Sequence, residues 1–291
     1  MTDPAPAPRA PPPPPEPWAE RVLRVLDHVH AHLDDPLDPG ALADLAGASR
    51  HHFHRVFRGT VGESVMGYVR RRRLERAAFR LRHAGGDVAS AAFAHGYDSH
   101  EGFTRVFRAH FGLPPSAYRD AAQRAARERL AAVPVTRCRE PARRLLTYRV
   151  VGPYAAAGAA WGPLLAAARA VPDAWSPGPT FGLVYDDPEV TAPEHCRYDA
   201  AVALRADLPP QRWPAGVVER ALPGGVYAAV RHVGPYADIL DTYVALLGVW
   251  LPRQPAGSAV LTDEPVVERY LDAPGSVPDA ALRTDVLVRL A

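Results

Sequence analysis

Residues 101–108 read Glu-Gly-Phe-Thr-Arg-Val-Phe-Arg, and residues 52–58 read His-Phe-His-Arg-Val-Phe-Arg. The two stretches match at a constant offset of 50 positions, and Gly62 and Gly112 follow them at the same offset. In both copies Phe, Val and Phe recur at positions i, i+3 and i+4, which is the spacing of one buried helix face. The sequence therefore predicts a duplicated helical unit.

Each copy is preceded by the signals of a shorter helix and a tight turn. The first copy has a helical pattern at 41–45, Gly47 in the turn and Ser49 at the expected N-cap; the second has 88–94, Gly96 and Ser99. Serine at an N-cap accepts hydrogen bonds from free backbone N–H groups, and glycine permits a sharp turn. The pattern predicts two helix-turn-helix motifs, whose second helices would lie in the major groove of DNA.

Charge is unevenly distributed along the chain. The net charge is +2, yet residues 49–129 contain 16 Arg and only 7 acidic residues. An arginine-rich helix lies between the two motifs, with Arg at positions 70–73, 76 and 80. We expect about half of the run 70–73 to be solvated and the rest to contact phosphates. The basic block predicts a polyanionic partner.

Residues 37–119 resemble the AraC/XylS-type DNA-binding domain along their whole length. The matching residues include Leu42, Ala48, Ser49, Phe53, Phe57, Gly62, Tyr97, Ser99, Phe103, Phe107, Gly112, Pro114 and Tyr118; Ala92 departs from the family's usual Ile. The resemblance implies two helix-turn-helix units joined by a long helix. It carries the family's base-reading positions onto Arg50, His51, His54 and Arg55 in the first unit and onto His100, Glu101, Gly102 and Arg105 in the second.

The chemistry of these positions favours a GC-rich operator. Arginine suits guanine O6 and N7, glutamate accepts from cytosine N4, and the Asn and Gln that pair with adenine are missing from both helices. Gly102 offers no side chain, so we expect the second unit to read less sequence than the first.

After Pro134 the pattern changes to short apolar segments bounded by Gly, Pro and Asp, which is typical of strands. Strands are predicted at 145–151, 181–185, 200–204, 226–232, 266–271 and 286–290, and helices at 154–171 and 236–251. Val-Gly-Pro-Tyr occurs at 151–154 and again at 233–236, an offset of 82. We expect a duplicated β-α-β-β unit paired about a pseudo-twofold axis, with a concave surface between the halves.

Residues 135–290 resemble the GyrI-like small-molecule-binding domain. The match includes 151–154, 185–189, 197–199, 225–227, 232–236, 268–271 and 282–285. The resemblance implies an aromatic pocket for planar or cationic apolar compounds, and Glu268 matches the family's pocket glutamate. Because side chains alternate between the two faces of a strand, Val266, Glu268 and Tyr270 are also expected on one face, independently of the resemblance. Candidate walls are Tyr154, Trp161, Tyr185, Tyr227, Tyr236 and Tyr270; ordinary core packing for each aromatic, and a solvated face for Glu268, remain alternatives.

The predicted fold class is multidomain. We expect a Pro-rich disordered tail at 1–17, an all-α domain with two helix-turn-helix motifs at 18–121, a linker at 122–134 and an α+β domain at 135–291. We expect no secretory leader, and the sequence contains no membrane-spanning run, P-loop, HExxH or dinucleotide fingerprint. Two cysteines exclude a disulfide framework, and His28 and His32 are interpreted as surface residues. We expect a cytoplasmic protein without cofactor, metal, catalytic residue or membrane partner.

The leading interpretation is a DNA-binding regulator whose C-terminal domain senses a cationic or aromatic small molecule. Its partners would be a double-stranded DNA operator, the effector and, as a further candidate, RNA polymerase. One alternative is a GyrI-like hydrolase of toxic compounds with Glu268 as general base and Tyr227 as its orienting partner. Another is a protein that only sequesters such compounds.

Overall fold

The computed structural model describes residues 17–83, 99–128, 134–171, 173–176, 178–255 and 264–290. Six of the described helices form the N-terminal half: α1 Trp18–Ala31, α2 Pro39–Leu45, α3 Arg50–Val61, α4 Val65–His83, α5 His100–Phe111 and α6 Pro115–Glu128. The pair α2–α3 is the first helix-turn-helix. The Pro-rich stretch before Pro17, the helix predicted at 88–94 and the turn at Gly96 lie outside the described residues. Helix α6 continues to Glu128, seven positions into the segment expected to be a linker.

Two hydrophobic cores support the two recognition helices. Phe53 and Phe57 of α3 are buried against α1 and the first turns of α4. Phe103 and Phe107 of α5 are buried against Leu81 and its neighbours near the end of α4. The two Phe residues of each copy thus face inward, and Val56 is half-buried beside them. Val106, expected on the buried face of the second copy, is exposed at 38%. Helix α4 holds the two units together.

Only one of the two serines expected at an N-cap makes a capping hydrogen bond. Ser99 accepts a hydrogen bond from the Gly102 N–H at 3.1 Å, as the sequence predicts. Ser49 is at the N-cap of α3, but its side chain makes no capping hydrogen bond. Both recognition helices end on a left-handed glycine, Gly62 with φ 89° and Gly112 with φ 77°.

The C-terminal half is an eight-stranded antiparallel sheet in the order β1-β6-β8-β7-β3-β4-β2-β5. The strands are β1 Thr136–Glu140, β2 Arg143–Val151, β3 Thr180–Val184, β4 Arg197–Ala203, β5 Val217–Leu222, β6 Gly225–Val233, β7 Val266–Tyr270 and β8 Arg283–Arg289. Helix α7 (Trp161–Ala170) follows a 3-10 turn at Tyr154–Ala160, and α8 (Ile239–Tyr243) continues into a π-helix at Val244–Trp250. All six strands and both helical segments expected from the sequence are present.

The predicted β-α-β-β repeat is longer by one strand in each copy. Strands β1 and β5 were not expected; they lie at the two edges, and each pairs with the second strand of the other repeat, β1 with β6 and β5 with β2. Their sequences, Thr-Arg-Cys-Arg-Glu and Val-Val-Glu-Arg-Ala-Leu, carry charges typical of edge strands. The repeats meet where β3 pairs with β7.

The two faces of the sheet have different environments. One face packs against α7 and the π-helix through residues such as Ala200 and Val286. The other face forms a separate cluster that includes Phe181, Leu183 and Tyr227. Because side chains alternate along a strand, a residue on the second face is turned away from the space beneath the helices.

A pair of glycine substitutions in the first unit tests the helix ends. Gly62→Ala should destabilise the protein by about 1 kcal/mol, because an L side chain at positive φ is strained even though the space there is open. Gly59→Ala, inside α3 with open space around it, should stabilise by ~0.5–1 kcal/mol. Urea unfolding midpoints check both; equal shifts of the same sign would contradict the assignment of Gly62 as the helix stop.

Candidate functional site

A cavity of about 1740 Å³ lies between the sheet and the helices that cover its first face. Drug-sized sites are typically about 300–1,000 Å³, so the space exceeds what one small ligand needs. Its lining includes Glu268 and a group of aromatic side chains, Tyr154, Trp161, Tyr198, Tyr236, Tyr243 and Tyr270. The concave surface expected from the repeat is therefore present.

Glu268 is buried, and two phenols hold its carboxylate. Tyr243 donates to Oε1 at 2.7 Å, and Tyr270 donates a short hydrogen bond to Oε2. Tyr198 in turn donates to the Tyr270 hydroxyl at 2.9 Å. The rings of Trp161 and Tyr236 approach Tyr270 edge-on, with centroids 5.8 and 5.5 Å away. The carboxylate is fixed in place inside an aromatic cluster.

Gly182 explains how this cluster fits at the junction of the repeats. It is directly opposite Glu268 in the β3–β7 pair. A Cβ there would lie 2.6 Å from the Tyr270 hydroxyl oxygen and 2.7 Å from a ring carbon of Tyr198. Only the missing side chain at this position leaves room for the two phenols.

Burial sets the protonation of the cluster. It raises the pKa of Glu268, and the hydrogen bonds from Tyr270 and Tyr243 oppose that rise. Burial and then the nearby Glu268 charge raise the pKa values of both tyrosines, so they remain donors. A bound cation would favour the ionised carboxylate.

Five of the six candidate wall residues line the cavity, and one does not. Tyr227 is on the second face of the sheet, where its hydroxyl donates to the Pro223 carbonyl at 2.7 Å. Tyr227 is therefore not a wall of the cavity, contrary to the expectation. It is also separated from Glu268, the general base that it was expected to orient in a hydrolase. Tyr185 lines the cavity, but the guanidinium groups of Arg149 and Arg197 already lie 4.5 and 5.0 Å from its ring centroid.

The sequence reasoning missed Tyr243 and Tyr198. Tyr243 ends α8, where the chain passes into the π-helix, and π-helical turns frequently accompany functional sites. Tyr198 was noted only as part of a family match. The signal that could have found it is the alternation along β4, which places Tyr198 on the same face as Ala200.

The two halves of the chain are joined by buried ion pairs. Arg72 of α4 and Arg197 of β4 share the carboxylate of Asp186, with N–O distances of 2.6 and 2.8 Å. Burial alone would raise the pKa of Asp186, but the two guanidinium groups hold it well below its ordinary value. His83 contacts Asp187 at 2.9 Å in the same segment.

A second set of ion pairs ties α1 to the sheet. Asp27 accepts hydrogen bonds from Arg149 at 3.2 Å and from Arg220 at 3.0 Å. A hydrophobic contact adds to them, since Val190 packs into the core of the second helical unit. The halves therefore meet through charge and packing together.

All seven predicted DNA-contacting side chains are exposed on the recognition helices. They are Arg50, His51, His54 and Arg55 on α3 and His100, Glu101 and Arg105 on α5. Arg50 makes a loose surface pair with Asp38 at 3.6 Å, which DNA phosphates or bases can displace. Within the described residues, both sets are open to solvent.

The arginine run of α4 behaves differently from expectation. Arg70 is exposed, but Arg71 pairs with Glu63 and Glu75, and Arg72 is buried against Asp186. Arg73 donates to the Leu33 and Asp35 carbonyls of the α1 end. Three of the four side chains thus serve internal contacts, so the expectation that the unsolvated half contacts phosphates is wrong.

Comparison with known proteins agrees with this architecture. Residues 134–291, more than half of the chain, match the GyrI-like small molecule binding domain. The chain belongs to the GyrI-like family. Residues 42–121 match a helix-turn-helix domain, so an AraC-type DNA-binding half precedes the GyrI-like half, and both resemblances stated above are confirmed.

Two curated relatives and one solved structure illustrate the likeness. The probable transcriptional regulator YgiV of Escherichia coli K12 is 38% identical over 112 residues, which span 38% of this chain and 67% of YgiV. The right origin-binding protein of the same strain is 35% identical over 91 residues, 31% of this chain and 32% of that protein. The DNA-binding domain of AdpA, solved with a target DNA, is 30% identical and covers 37% of this chain and 96% of that domain at a TM-score of 0.35.

No helix among the described residues is long and apolar enough to cross a membrane. No group of three or more His, Cys, Asp or Glu side chains in the described ranges is arranged to hold a metal ion. Cys138 and Cys196 are both free thiols.

The raised pKa of Glu268 predicts a pH-dependent stability. Between the ordinary carboxyl pKa and the raised one, the folded state keeps a proton that the unfolded chain has lost, so stability falls as pH rises. Glu268→Gln removes this contribution. We expect the unfolding free energy of Glu268→Gln to increase relative to that of the wild type as pH rises from about 4 to about 8. Urea titrations across that range check it, and a pH-independent difference would contradict it.

Proposed function

We propose that this protein is an effector-responsive transcription regulator. Its helical half binds a GC-rich operator through α3 and α5, and its GyrI-like half binds an aromatic cation against Glu268. The observation that carries the proposal is the combination of two exposed recognition helices with a buried, doubly hydrogen-bonded carboxylate in an aromatic cavity.

The DNA side of the proposal rests on exposure and charge. Among the described residues, the arginines at the predicted base-reading positions make only the loose Arg50–Asp38 ion pair, in contrast to Arg71 and Arg72 of α4. Exposed guanidinium groups on a helix of major-groove width can donate to guanine. Gly102 leaves the second helix with one fewer reading side chain, so the first helix contributes more specificity.

The effector side rests on the electrostatics of the cavity. Among the described residues, the hydrogen-bond partners of the buried Glu268 carboxylate are two phenols and no cationic side chain, so the carboxylate attracts a positive ligand. Ring faces and edges around it add cation–π attraction of roughly 0.5–2 kcal/mol. A planar aromatic cation satisfies both features at once.

Control requires that the ligand and the DNA site influence each other. Asp186 lines the cavity and also pairs with Arg72 on α4, the helix that supports both DNA-reading units. Val190, four residues further on, packs in the core beneath α5. A ligand that displaces the segment 185–190 therefore alters the support of the second unit, and any such coupling acts in both directions. Contact with RNA polymerase would provide a second route of control.

Operator selection with the purified full chain tests the DNA-binding proposal. The expected product is a GC-rich site whose binding falls steeply with salt and changes when N-methylacridinium, an aromatic cation, is added. Arg55→Ala and Arg105→Ala should each weaken operator binding by about 1–3 kcal/mol, Arg55→Ala the more, because guanine contacts are lost.

The control for those variants is Arg139→Ala. Arg139 is exposed on β1 in the other half, so its removal changes the net charge equally without touching a recognition helix. Fluorescence anisotropy at one salt concentration compares the three variants. An A/T-only selected core, or equal losses on operator and random DNA, would contradict the proposed base contacts.

Glu268→Gln tests the effector site. The variant should raise the Kd for N-methylacridinium about tenfold, since a buried charge–charge attraction is replaced by a weaker dipole interaction. Asp279→Asn makes the same charge change at an exposed position of the cavity lining and should leave the Kd within about twofold, because water screens that carboxylate. Fluorescence quenching measures both; equal effects would remove Glu268 from the site.

A further inference from the structure

The cavity is not confined to the GyrI-like half of the chain. Helices α1 and α4 of the DNA-binding half contribute part of its wall, including His30, Arg72, Phe79 and His83. Next to them is the segment 185–191, whose Asp186 and Asp187 contact Arg72 and His83. The ring centroids of His30 and Tyr185 are 6.2 Å apart. An occupant of this end of the cavity is in reach of both halves.

His30 presents an unused polar atom at this end. The residue is half-buried, and its Nε2 atom is fully buried and has no hydrogen-bond partner among the described residues. Leaving a buried polar atom unpaired is unfavourable, because the atom has lost its hydrogen bonds to water. A ligand atom that hydrogen-bonds to Nε2 would recover that free energy.

The surroundings of His30 determine what kind of atom that is. Burial and then the guanidinium groups of Arg197, Arg72, Arg149 and Arg76 lower the pKa of the imidazole well below its ordinary value. The ring is therefore neutral, and one of its nitrogens carries a proton that can be donated. Nearby positive charge favours a ligand atom with partial negative charge, such as a carbonyl oxygen.

Phe79 adds an apolar surface to the same wall. It lies on α4 and packs at the edge of the cluster that contains Ile239 and Tyr243 of the second repeat. Its ring centroid is 4.6 Å from that of His83. An aromatic ligand held by Glu268 and Tyr243 would extend along the Phe79 side chain.

The size of the cavity suits one extended molecule. Glu268 and His30 both line this cavity, whose volume is about 1740 Å³. Drug-sized sites are typically about 300–1,000 Å³, so a tricyclic aromatic with one substituent has room to extend from the carboxylate towards His30.

We propose that the effector site is a composite of both domains, in which His30 hydrogen-bonds to an acceptor group of the effector and Phe79 packs against its aromatic body. The effector class is then an aromatic cation that also carries a hydrogen-bond acceptor, such as an ester or amide carbonyl. This inference rests on the proposed effector-binding function and assigns ligand-binding residues to the DNA-binding half.

A matched pair of probes tests the composite site in the full-length protein. The probes are N-methylacridinium and the same cation bearing a methyl ester on an outer ring. His30→Ala should raise the Kd of the ester about fivefold and leave that of the plain cation unchanged, because only the ester offers an acceptor. Phe79→Ala should weaken both probes.

His28→Ala is the control, since His28 lies on the same helix, outside the cavity lining; it should change neither Kd. His30→Gln keeps a donor and should restore part of the ester affinity. Operator binding and thermal unfolding of each variant verify that it is folded, and His30→Gln is the variant to compare if His30→Ala unfolds.

The outcomes separate this inference from the function on which it rests. If the wild type binds neither probe, the effector function fails and the composite site fails with it. If the plain cation binds and Glu268→Gln weakens it, while His30→Ala and His30→Gln leave the ester affinity unchanged, the composite site alone is overturned. An equal loss for both probes in His30→Ala would also overturn the hydrogen bond.

Discussion

The buried carboxylate of Asp186 is the contact on which the arrangement of this protein depends. It pairs with Arg72 from the DNA-binding half and with Arg197 from the sheet. Because a buried charge without partners is strongly destabilising, the three groups are stable only when assembled together. That requirement fixes where α4 meets the sheet. It also fixes the cavity wall, since Asp186 lines the cavity and the next residues continue to Asp187 and Val190, which contact the helical half.

The centre of the sheet shows how a duplicated fold acquires an asymmetric site. The repeats meet at β3 and β7, and in the middle of this strand pair Gly182 is opposite Glu268. Strand β7 supplies the Glu268 carboxylate. Gly182 of β3, which has no side chain, leaves the space that the side chains of Tyr198 and Tyr270 occupy. A side chain at Gly182 would close the position that the phenols occupy. Charge and room are thus provided by opposite repeats, so a single site forms on the pseudo-twofold axis rather than two equivalent ones.

The arginines of the helical half fall into two groups, exposed ones and internally paired ones, and the amino-acid composition alone does not tell them apart. Arg55 and Arg105 are exposed on the recognition helices, where a polyanion can reach them. Arg71 and Arg72, on the helix between the units, are held by carboxylates from their own helix and from the other domain. The difference follows from position: α4 is packed between the two cores and against the π-helix and the segment 186–190, so most of its surface is internal.

Local sequence determined the elements and their repeats. The i, i+3, i+4 spacing and the serine N-caps located α3 and α5, and apolar patterning located six of the eight strands. The alternation of side chains along a strand placed Glu268 and Tyr270 on one face. The edge strands β1 and β5 were not predicted, because their charged sequences lack an apolar alternation and the strands with which they pair are far away in the chain. Tertiary structure alone brought Tyr243 to Glu268, turned Tyr227 to the other face and set His30 into the cavity wall. Periodicity reports which side of an element is buried, whereas the neighbour on that side is chosen by packing between distant segments.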